Sequence, residues 1–206
     1  MKQSGRRVMV DGAPEMTRTV REIAEVAYGE PRRLPPGMEP GLEAQYRYNA
    51  PPITFASAAH ACIVEVDVET GFVKIERWVG SEDCGVVINP GVVEGQIAGG
   101  LAQAIGMVLH EEVHYDQFGN PTAATFKDYH LPAISDVPDF EYAHVANPAK
   151  GAGGFRGVGE GGAIIGPPTL INAIHDALAP FGVTCLDLPL TPAKLLALIE
   201  EGRREG

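Results

Sequence analysis

One carboxylate stands alone in a glycine-rich stretch, GGFRGVGEGGAIIGPP, at residues 153–168. The stretch contains seven glycines and a single acidic residue, Glu160. Glycine gives up more backbone entropy on folding than any other residue, so a run of this density is costly. Such a run indicates backbone that approaches something closely, or that adopts dihedral angles closed to other residues. The close neighbour could be a nucleotide, a cofactor or another part of the fold.

Residues 157–162 of this stretch match the pattern G-x-G-x-x-G of dinucleotide-binding folds. That fingerprint requires an apolar strand before it, a helix that starts within it and an acidic residue about twenty positions further on. The preceding residues NPAKGAGGFR do not resemble a strand, and we expect the next helix to begin only at Pro167. Asp176 and Asp187 miss the expected distance on either side. The pattern therefore does not predict a Rossmann site.

A second pattern, HEEVH at residues 110–114, matches the H-E-x-x-H motif of zinc peptidases. On one continuous helix His110 and His114 would share a face, and Glu111 would be placed to activate a metal-bound water. The predicted helix has already run about five turns at His110. The chain then leads into a glycine turn, so we expect His114 on a strand that points it away from His110. Two ordinary histidines at a helix end are the expectation, with no metal site.

A third candidate is the nearly bare face of a helix predicted over residues 92–112. Three glycines and two glutamines lie on one side of it: Gly95, Gly99, Gly100, Gln96 and Gln103. Each glycine inside a helix costs roughly 1 kcal/mol relative to alanine. Close packing against another helix could offset that cost, and so could a planar polar ligand beside Gln96, whose amide both donates and accepts hydrogen bonds. The residues alone leave the two explanations equal.

The composition excludes several classes of function. The 206 residues are 45% hydrophobic, which is ordinary for a soluble globular protein of one large or two small domains. The net charge of −11 argues against nucleic-acid binding. Cys62, Cys84 and Cys185 are too scattered for a disulfide framework or a zinc knuckle. The N-terminus lacks the apolar region of a signal peptide, and no apolar run approaches the length of a membrane span. We therefore expect a cytoplasmic protein without a membrane partner.

The chain is predicted to begin with a helix and a connector over residues 1–50, before a main body over 51–206. The helix, residues 19–29, has a capping box between Thr19 and Glu22 and a C-terminal cap at Gly29. The proline-rich sequence EPRRLPPGMEPG forms the connector.

The main body mixes predicted hairpins and helices. Residues 63–68 and 72–79 alternate as the strands of a hairpin, and a second hairpin is expected within 114–126 with its turn at Gly119-Asn120. Besides the helix over 92–112, helices are predicted over 167–178, opened by proline, and over 191–201, capped by Thr191. Without a regular βαβ rhythm, the expected fold class is α+β.

Four long segments of the chain carry a family resemblance: EDCGVVINPGVVEGQIAGGLAQAIG (82–106), DYHLPAISDVP (128–138), FRGVGEGGAIIGPPTLINAIHDAL (155–178) and LPLTPAKLLALI (188–199). In order and spacing they resemble the C-terminal part of the molybdenum-binding large subunit of the xanthine dehydrogenase, aldehyde oxidase and carbon monoxide dehydrogenase family. Weaker likeness extends back to LPPGMEPG. The resemblance covers nearly the whole chain but only the last third or less of a typical large subunit, without its earlier cofactor and substrate-facing loops.

The resemblance implies a molybdopterin cofactor, in its cytosine dinucleotide form. The dithiolene sulfurs of the pterin hold the molybdenum, so no protein side chain is expected to ligate the metal. The resemblance places the cofactor against one loop and one helix face, at Asp83, Cys84, Gly85, Gly95, Gln96, Gly99 and Gly159. A bound ligand would then explain the missing side chains of that helix.

Glu160 matches the position of the family's general base. The resemblance implies that it takes a proton from a molybdenum-bound hydroxyl, whose oxygen attacks the substrate carbon while hydride passes to a sulfido ligand. The surrounding glycines should leave its carboxylate poorly solvated. The implied activity is the oxidation of an aldehyde, a heterocycle or carbon monoxide.

The implied partners are the rest of the molybdenum-binding subunit and chains that carry iron–sulfur clusters and FAD, within an oligomer. Two alternatives stay open beside this enzyme component. One is a non-catalytic assembly fragment whose surface docks the missing part of the subunit. The other is the zinc peptidase, through His110, Glu111 and His114.

Overall fold

The computed structural model describes residues 2–50, 53–184 and 187–205. The chain divides into two units, Met1–Asn49 and Ala50–Gly206. Cys185 lies outside the described residues. The thiols of Cys62 and Cys84 are both free, and Cys84 is buried.

The first unit opens with a three-stranded antiparallel sheet that the sequence patterns did not predict. Its strands β1 (Lys2–Ser4), β2 (Arg7–Val10) and β3 (Ala13–Thr19) pair in chain order. These strands mix charged and apolar residues without a strict alternation, so the period-two signal of a half-buried strand is absent.

The first predicted helix forms, but only its first half is α-helical. Helix α1 spans Val20–Ala24 and continues as a π-helical turn over Glu25–Gly29. The predicted capping box is confirmed, because the Glu22 N–H donates to Thr19 Oγ1 over 3.1 Å and the Thr19 N–H donates to Glu22 Oε2 over 2.7 Å. Gly29 is the last residue of the π-helical turn rather than the predicted cap.

The second unit contains a three-stranded mixed sheet in the order β4-β5-β6. Strands β4 (Ser57–Val66) and β5 (Val73–Asp83) pair antiparallel, which confirms the hairpin predicted from residues 63–68 and 72–79 and lengthens both strands. Strand β6 (Phe140–His144) joins β5 in parallel and was not predicted. With its helices, this unit confirms the α+β class.

The second predicted hairpin, within residues 114–126, forms only as a short reversal around Gly119-Asn120, without extended strands. The segment forms one isolated bridge between Tyr115 and Pro121. Asp116 organises the reversal instead, since its Oδ1 accepts the Asn120 N–H over 2.9 Å and its Oδ2 accepts the Asn120 amide over 2.9 Å. Two backbone hydrogen bonds flank this bridge, since the Asp116 N–H donates to the Asn120 carbonyl over 2.9 Å and the Thr122 N–H donates to the His114 carbonyl over 2.8 Å.

Helix α2 spans Pro90–Leu109, so it begins and ends earlier than the predicted 92–112. Asn89 caps it, because Asn89 Oδ1 accepts the Val92 N–H over 3.2 Å. An asparagine cap followed by proline at the first helical position is a strong start signal. The helix ends where the backbone leaves helical dihedrals at His110.

Helix α3 spans Gly161–Leu178, with Pro167 and Pro168 inside it, so the prediction that proline opens this helix is wrong. Each interior proline removes one hydrogen bond to the residue four positions earlier. Packing against α2 through Gly162 and Gly166 maintains the helix across this gap, as tertiary contacts commonly do.

Helix α4 spans Pro192–Glu205, beyond the predicted end at residue 201. It begins at the predicted proline, and Thr191 Oγ1 accepts the Lys194 N–H over 3.4 Å in the manner of a cap.

The core of the second unit lies between the sheet and helices α2, α3 and α4. Its fully buried side chains include Trp78, Ile97, Leu101, Ile105, Leu170, Ile174, Leu178, Leu195 and Ile199. Contrary to expectation, α2 is long and apolar enough to cross a membrane, with a mean hydropathy of 1.4. Half of that stretch is buried in the protein. The core helix of a globular protein can have the same length and hydropathy as a membrane span, so these two properties alone are weak evidence for one.

Helices α2 and α3 approach each other through glycine backbone. A Cβ on Gly100 would lie 2.6 Å from the Ala163 nitrogen, and one on Gly162 would lie 2.5 Å from the Ile97 carbonyl oxygen. Added Cβ atoms on Gly95 and Gly99 would meet nothing within 4 Å. Close packing therefore explains Gly100, and it does not explain Gly95 or Gly99.

We predict opposite effects of alanine at the adjacent positions 99 and 100. Gly100→Ala pushes backbone against backbone and should lower the free energy of unfolding by about 1–3 kcal/mol. Gly99→Ala enters open space and should raise it by up to about 1 kcal/mol through helix propensity. Urea unfolding of both variants measures the difference, and equal effects would contradict the packing role of Gly100.

Candidate functional site

Glu160 occupies the N-cap position directly before α3, and its side chain does not cap the helix. Its backbone carbonyl accepts the Ile164 N–H over 3.1 Å, the first hydrogen bond of α3. The carboxylate is exposed in this chain, so the expectation that the glycines leave it poorly solvated is wrong here. A carboxylate that serves neither as a cap nor in the core is free to contact a ligand.

The structure revises one objection to the G-x-G-x-x-G pattern. Helix α3 starts at Gly161, within the glycine run, so the helix that the fingerprint requires is present. The fingerprint also requires a strand directly before the run. Among the described residues β6 ends at His144, and only an isolated bridge at Phe155 lies nearer. The chain still lacks the strand–turn–helix unit of a dinucleotide site.

A first cavity of about 840 Å³, called here the Glu160 cavity, lies at the start of α3. Its lining is largely apolar and includes Thr54–Ala58, Glu82, Gly157–Gly161, Ile164, Ile165 and Pro168. Glu82 and Glu160 are its two carboxylates. Glu82 was not singled out from the sequence, although it lies on a strand whose alternate residues are buried.

A second cavity of about 510 Å³, called here the Gln96 cavity, lies between α2 and the start of α3. It is lined by Gly95, Gln96, Gly99, Gly100, Gln103, Gly159, Glu160, Ala163 and Ile164. Gln96 and the two unobstructed glycines are exposed. Five of the residues predicted from the sequence thus meet in one place: Gly95, Gln96, Gly99, Gly159 and Glu160. Of these, Glu160 and Gly159 line both cavities.

The predicted loop Asp83-Cys84-Gly85 lines neither cavity. It binds the chain that leads to Glu160 instead. Gly85 forms a bridge with Phe155, and the Arg156 N–H donates to the Cys84 carbonyl over 2.7 Å. The loop therefore supports the glycine run from behind.

Arg156 joins this loop to the wall of the Glu160 cavity. Its guanidinium donates to the Phe55 carbonyl over 2.6 Å and lies 3.7 Å from Asp83 Oδ2. Asp83 Oδ1 also accepts the N–H groups of Gly85 and Asn147, over 2.9 and 3.3 Å. The Gly85 hydrogen bond is the main cause that lowers the pKa of Asp83; desolvation opposes it, and Asn147 and Arg156 add to it.

We predict that Asp83→Asn destabilises the protein at neutral pH and much less in acid. A carboxylate with a depressed folded-state pKa stabilises the fold above its ordinary value of 3.8. This stabilisation is lost as the pH falls through the folded-state pKa. Urea unfolding at about pH 7 and about pH 3 measures the change, with the exposed Asp139→Asn as the matched control. An equal loss at both pH values would contradict the role of the charge.

The H-E-x-x-H residues do not form a zinc site. Helix α2 ends before His110, and His114 lies on neither a helix nor the expected strand. His110 stacks on His130 at 4.7 Å, whereas His114 Nε2 lies 3.2 Å from Glu112. In the described part of the chain, no group of three or more His, Cys, Asp or Glu side chains is placed to hold a metal. The peptidase alternative loses its geometric basis.

Comparison with known proteins identifies one family. The molybdopterin cofactor-binding domain family matches residues 2–138. The nicotine 6-hydroxylase large subunit of Paenarthrobacter nicotinovorans is 43% identical over 188 residues, which are 91% of this chain and 23% of that protein. The carbon monoxide dehydrogenase large chain of Afipia carboxidovorans is 38% identical, over 89% of this chain and 22% of that protein.

Solved structures agree with these relatives. A Cu,Mo-CO dehydrogenase superposes with a TM-score of 0.87 at 35% identity, over 98% of this chain and 25% of that one. Quinoline 2-oxidoreductase from Pseudomonas putida 86 gives 0.89 at 39% identity, over 95% of this chain and 25% of that one. The chain spans about a quarter of the length of these relatives.

Proposed function

This chain belongs to the molybdopterin cofactor-binding domain family, and we propose that it supplies part of the active site of a molybdenum hydroxylase. The proposed reaction is the oxidation of an aldehyde, a heterocycle or carbon monoxide, with Glu160 as general base. The observation that carries the proposal is the position of Glu160, which lines both cavities beside Gln96.

The Gln96 cavity fits a large cofactor. The space beside Gly95 and Gly99 is open, because a Cβ added to either residue would have no neighbour within 4 Å. A flat ligand can therefore lie directly on the helix backbone. Gln96 and Gln103 supply amide donors and acceptors at its edge. Gln96, Gly95, Gly99 and Gly159 would hold the pterin, in the cytosine dinucleotide form. When bound, the cofactor supplies the metal centre at which the substrate is oxidised.

Glu160 is suited to accept a proton at a carboxylate oxygen. Its carboxylate makes no cap hydrogen bond and carries no core packing, so it can turn toward a group in either cavity. The two isoleucines at the Glu160 cavity, Ile164 and Ile165, provide an apolar wall that would limit water there once the site is covered. Asp83, Cys84 and Gly85 act from behind by holding the glycine run in place.

The exposed Gln96 face leaves room for further protein. The matched relatives are named as a large subunit and a large chain, which suits assembly with other subunits. We infer that the partners are the rest of the molybdenum-binding subunit and chains that carry iron–sulfur clusters and FAD. If the chain is instead a non-catalytic assembly fragment, the same docking is expected. The two hypotheses differ in that the fragment gives Glu160 no role in turnover.

We predict that Glu160→Gln in the complete assembly lowers turnover by roughly 10²–10⁴-fold, the range of general acid–base catalysis. Glutamine keeps the size of the side chain and cannot take the proton. Molybdenum content and folding should stay near those of the unchanged protein, because the side chain is exposed. Rapid-mixing measurement of substrate oxidation at matched molybdenum content tests this. An unchanged rate would favour the non-catalytic fragment.

We predict that Gln96→Leu and Gly99→Leu lower the molybdenum content of the assembly, and the rate only in proportion. Gln96→Leu removes the amide that would contact the cofactor, and Gly99→Leu fills the bare helix face. Both positions are exposed, so the fold accommodates the larger side chain. Elemental analysis per mole of protein gives the content, and the exposed Gln117→Leu is the control. Full molybdenum loading in both variants would remove α2 from the cofactor site.

A further inference from the structure

A buried chain of three hydrogen-bonded side chains leads from the core to the wall of the Glu160 cavity. The Trp78 indole Nε1–H donates to His60 Nδ1 over 3.1 Å, and His60 Nε2 lies 2.9 Å from Glu82 Oε1. The side chains of His60 and Glu82 are 0% and 3% exposed, and Trp78 is fully buried. Glu82 lines the Glu160 cavity. We call these three residues the Trp–His–Glu chain.

The direction of the hydrogen bonds fixes the state of the histidine. An indole N–H can only donate, so His60 Nδ1 must accept and carries no proton. The ring proton therefore sits on Nε2, which donates to Glu82 Oε1. His60 holds one carboxylate oxygen of Glu82 in place as a neutral ring and brings no positive charge to it.

The two strands of the hairpin are built to hold this arrangement. Trp78, Gly80 and Glu82 are every second residue of β5 and share its buried face. His60, on the neighbouring strand β4, lies opposite Gly80. A Cβ on Gly80 would lie 2.7 Å from His60 Nε2, so glycine makes room for the imidazole ring. A rigid sheet, rather than a loop, therefore sets the position of the Glu82 carboxylate.

The free end of the chain faces the start of α3. Glu82 Oε2 lies 3.5 Å from the position that a Cβ on Gly161 would occupy, and Gly161 is the first residue of α3 after Glu160. The first N–H groups of a helix lack intrahelical partners and carry partial positive charge, which favours a carboxylate beside them. Both carboxylate oxygens of Glu82 thus lie within van der Waals contact distance of the first residue of the helix.

We propose that Glu82, oriented by His60 and Trp78, is a positioning residue that fixes the start of α3 and thereby places Glu160. The proposal rests on the proposed function of Glu160 as general base. Glu160 has no side-chain hydrogen bond in its cap position and stands between Gly159 and Gly161, so its own side chain does not fix its backbone. A shift of about 1 Å in a catalytic group can cost about 100-fold in rate, which makes such an anchor necessary.

The test replaces Glu82 by glutamine in the complete assembly. Glu82→Gln keeps an acceptor for His60 Nε2 and removes the negative charge beside the first turn of α3, where the helix carries partial positive charge. We expect the turnover number to fall about 10- to 100-fold with the KM unchanged. Hydrogen–deuterium exchange of peptides covering residues 157–164 should become faster. Glu76→Gln, the same change on the exposed face of β5, should alter neither.

A double variant separates positioning from a general loss of stability. If Glu82 acts through Glu160, adding Glu82→Gln to Glu160→Gln should cause no further loss of turnover. The proposal would be overturned if the losses of turnover in the two single variants multiply in the double variant. It would also be overturned if hydrogen–deuterium exchange at residues 157–164 is unchanged in Glu82→Gln. If Glu82→Gln does not fold, His60→Gln, which leaves the carboxylate in place, is judged by the same two measurements.

The failure of this proposal is distinguishable from the failure of the proposed function. Normal turnover in Glu160→Gln would remove the general base, whatever Glu82 does. If turnover is slow in Glu160→Gln but normal in Glu82→Gln, only the positioning role of Glu82 is contradicted.

Discussion

The crossing of α2 and α3 at glycine backbone is the constraint on which the site depends. Because Gly100 and Gly162 have no side chains, the two helices approach to backbone contact, with Gly100 Cα 3.1 Å from the position of a Cβ on Gly162. This approach brings the start of α3 beside the first turns of α2. Gly159 and Glu160 then share a cavity with Gln96, although the two segments are far apart in the chain. Larger residues at the crossing would separate the helices and open the site.

The start of α3 is supported from two directions by polar contacts. The Asp83 loop and Arg156 hold the glycine run that precedes the helix, through backbone hydrogen bonds and one ion pair. The Trp–His–Glu chain reaches it from the sheet. Both supports begin on β5, since Glu82 and Asp83 are its last two residues and their side chains point to opposite faces. One strand end thus serves both the segment before Glu160 and the helix after it.

Local signals in the sequence predicted the elements that local interactions determine. The capping box at Thr19 and the alternating hairpin of β4 and β5 are confirmed, because each depends on neighbours a few residues away. The prediction failed where distant contacts decide. Pro167 predicted the start of a helix, yet α3 begins six residues earlier, at Gly161, where the chain packs on α2. Likewise, β6 forms only because β5 offers a free edge.

The same division applies to the candidate site. Glycine density and one isolated carboxylate marked Glu160, and the bare face marked Gln96, before any fold was known. Glu82 gave no such signal, since an acidic residue at a strand end is ordinary until its burial is known. The role of Gly100 could not be separated from that of Gly99 in the sequence, because only the position of α3 distinguishes them.

The apolar character of α2 has a consequence for the synthesis of the chain. The surface that covers α2 comes largely from α3, which emerges from the ribosome only after the intervening loops and β6. Until then a long, apolar helix stands uncovered, and closing the contact requires a large loop, which slows folding. A nascent chain in this state exposes the kind of surface that chaperones bind and that drives aggregation. Substitutions that delay the docking of α3 should therefore reduce the yield of protein before they alter its chemistry.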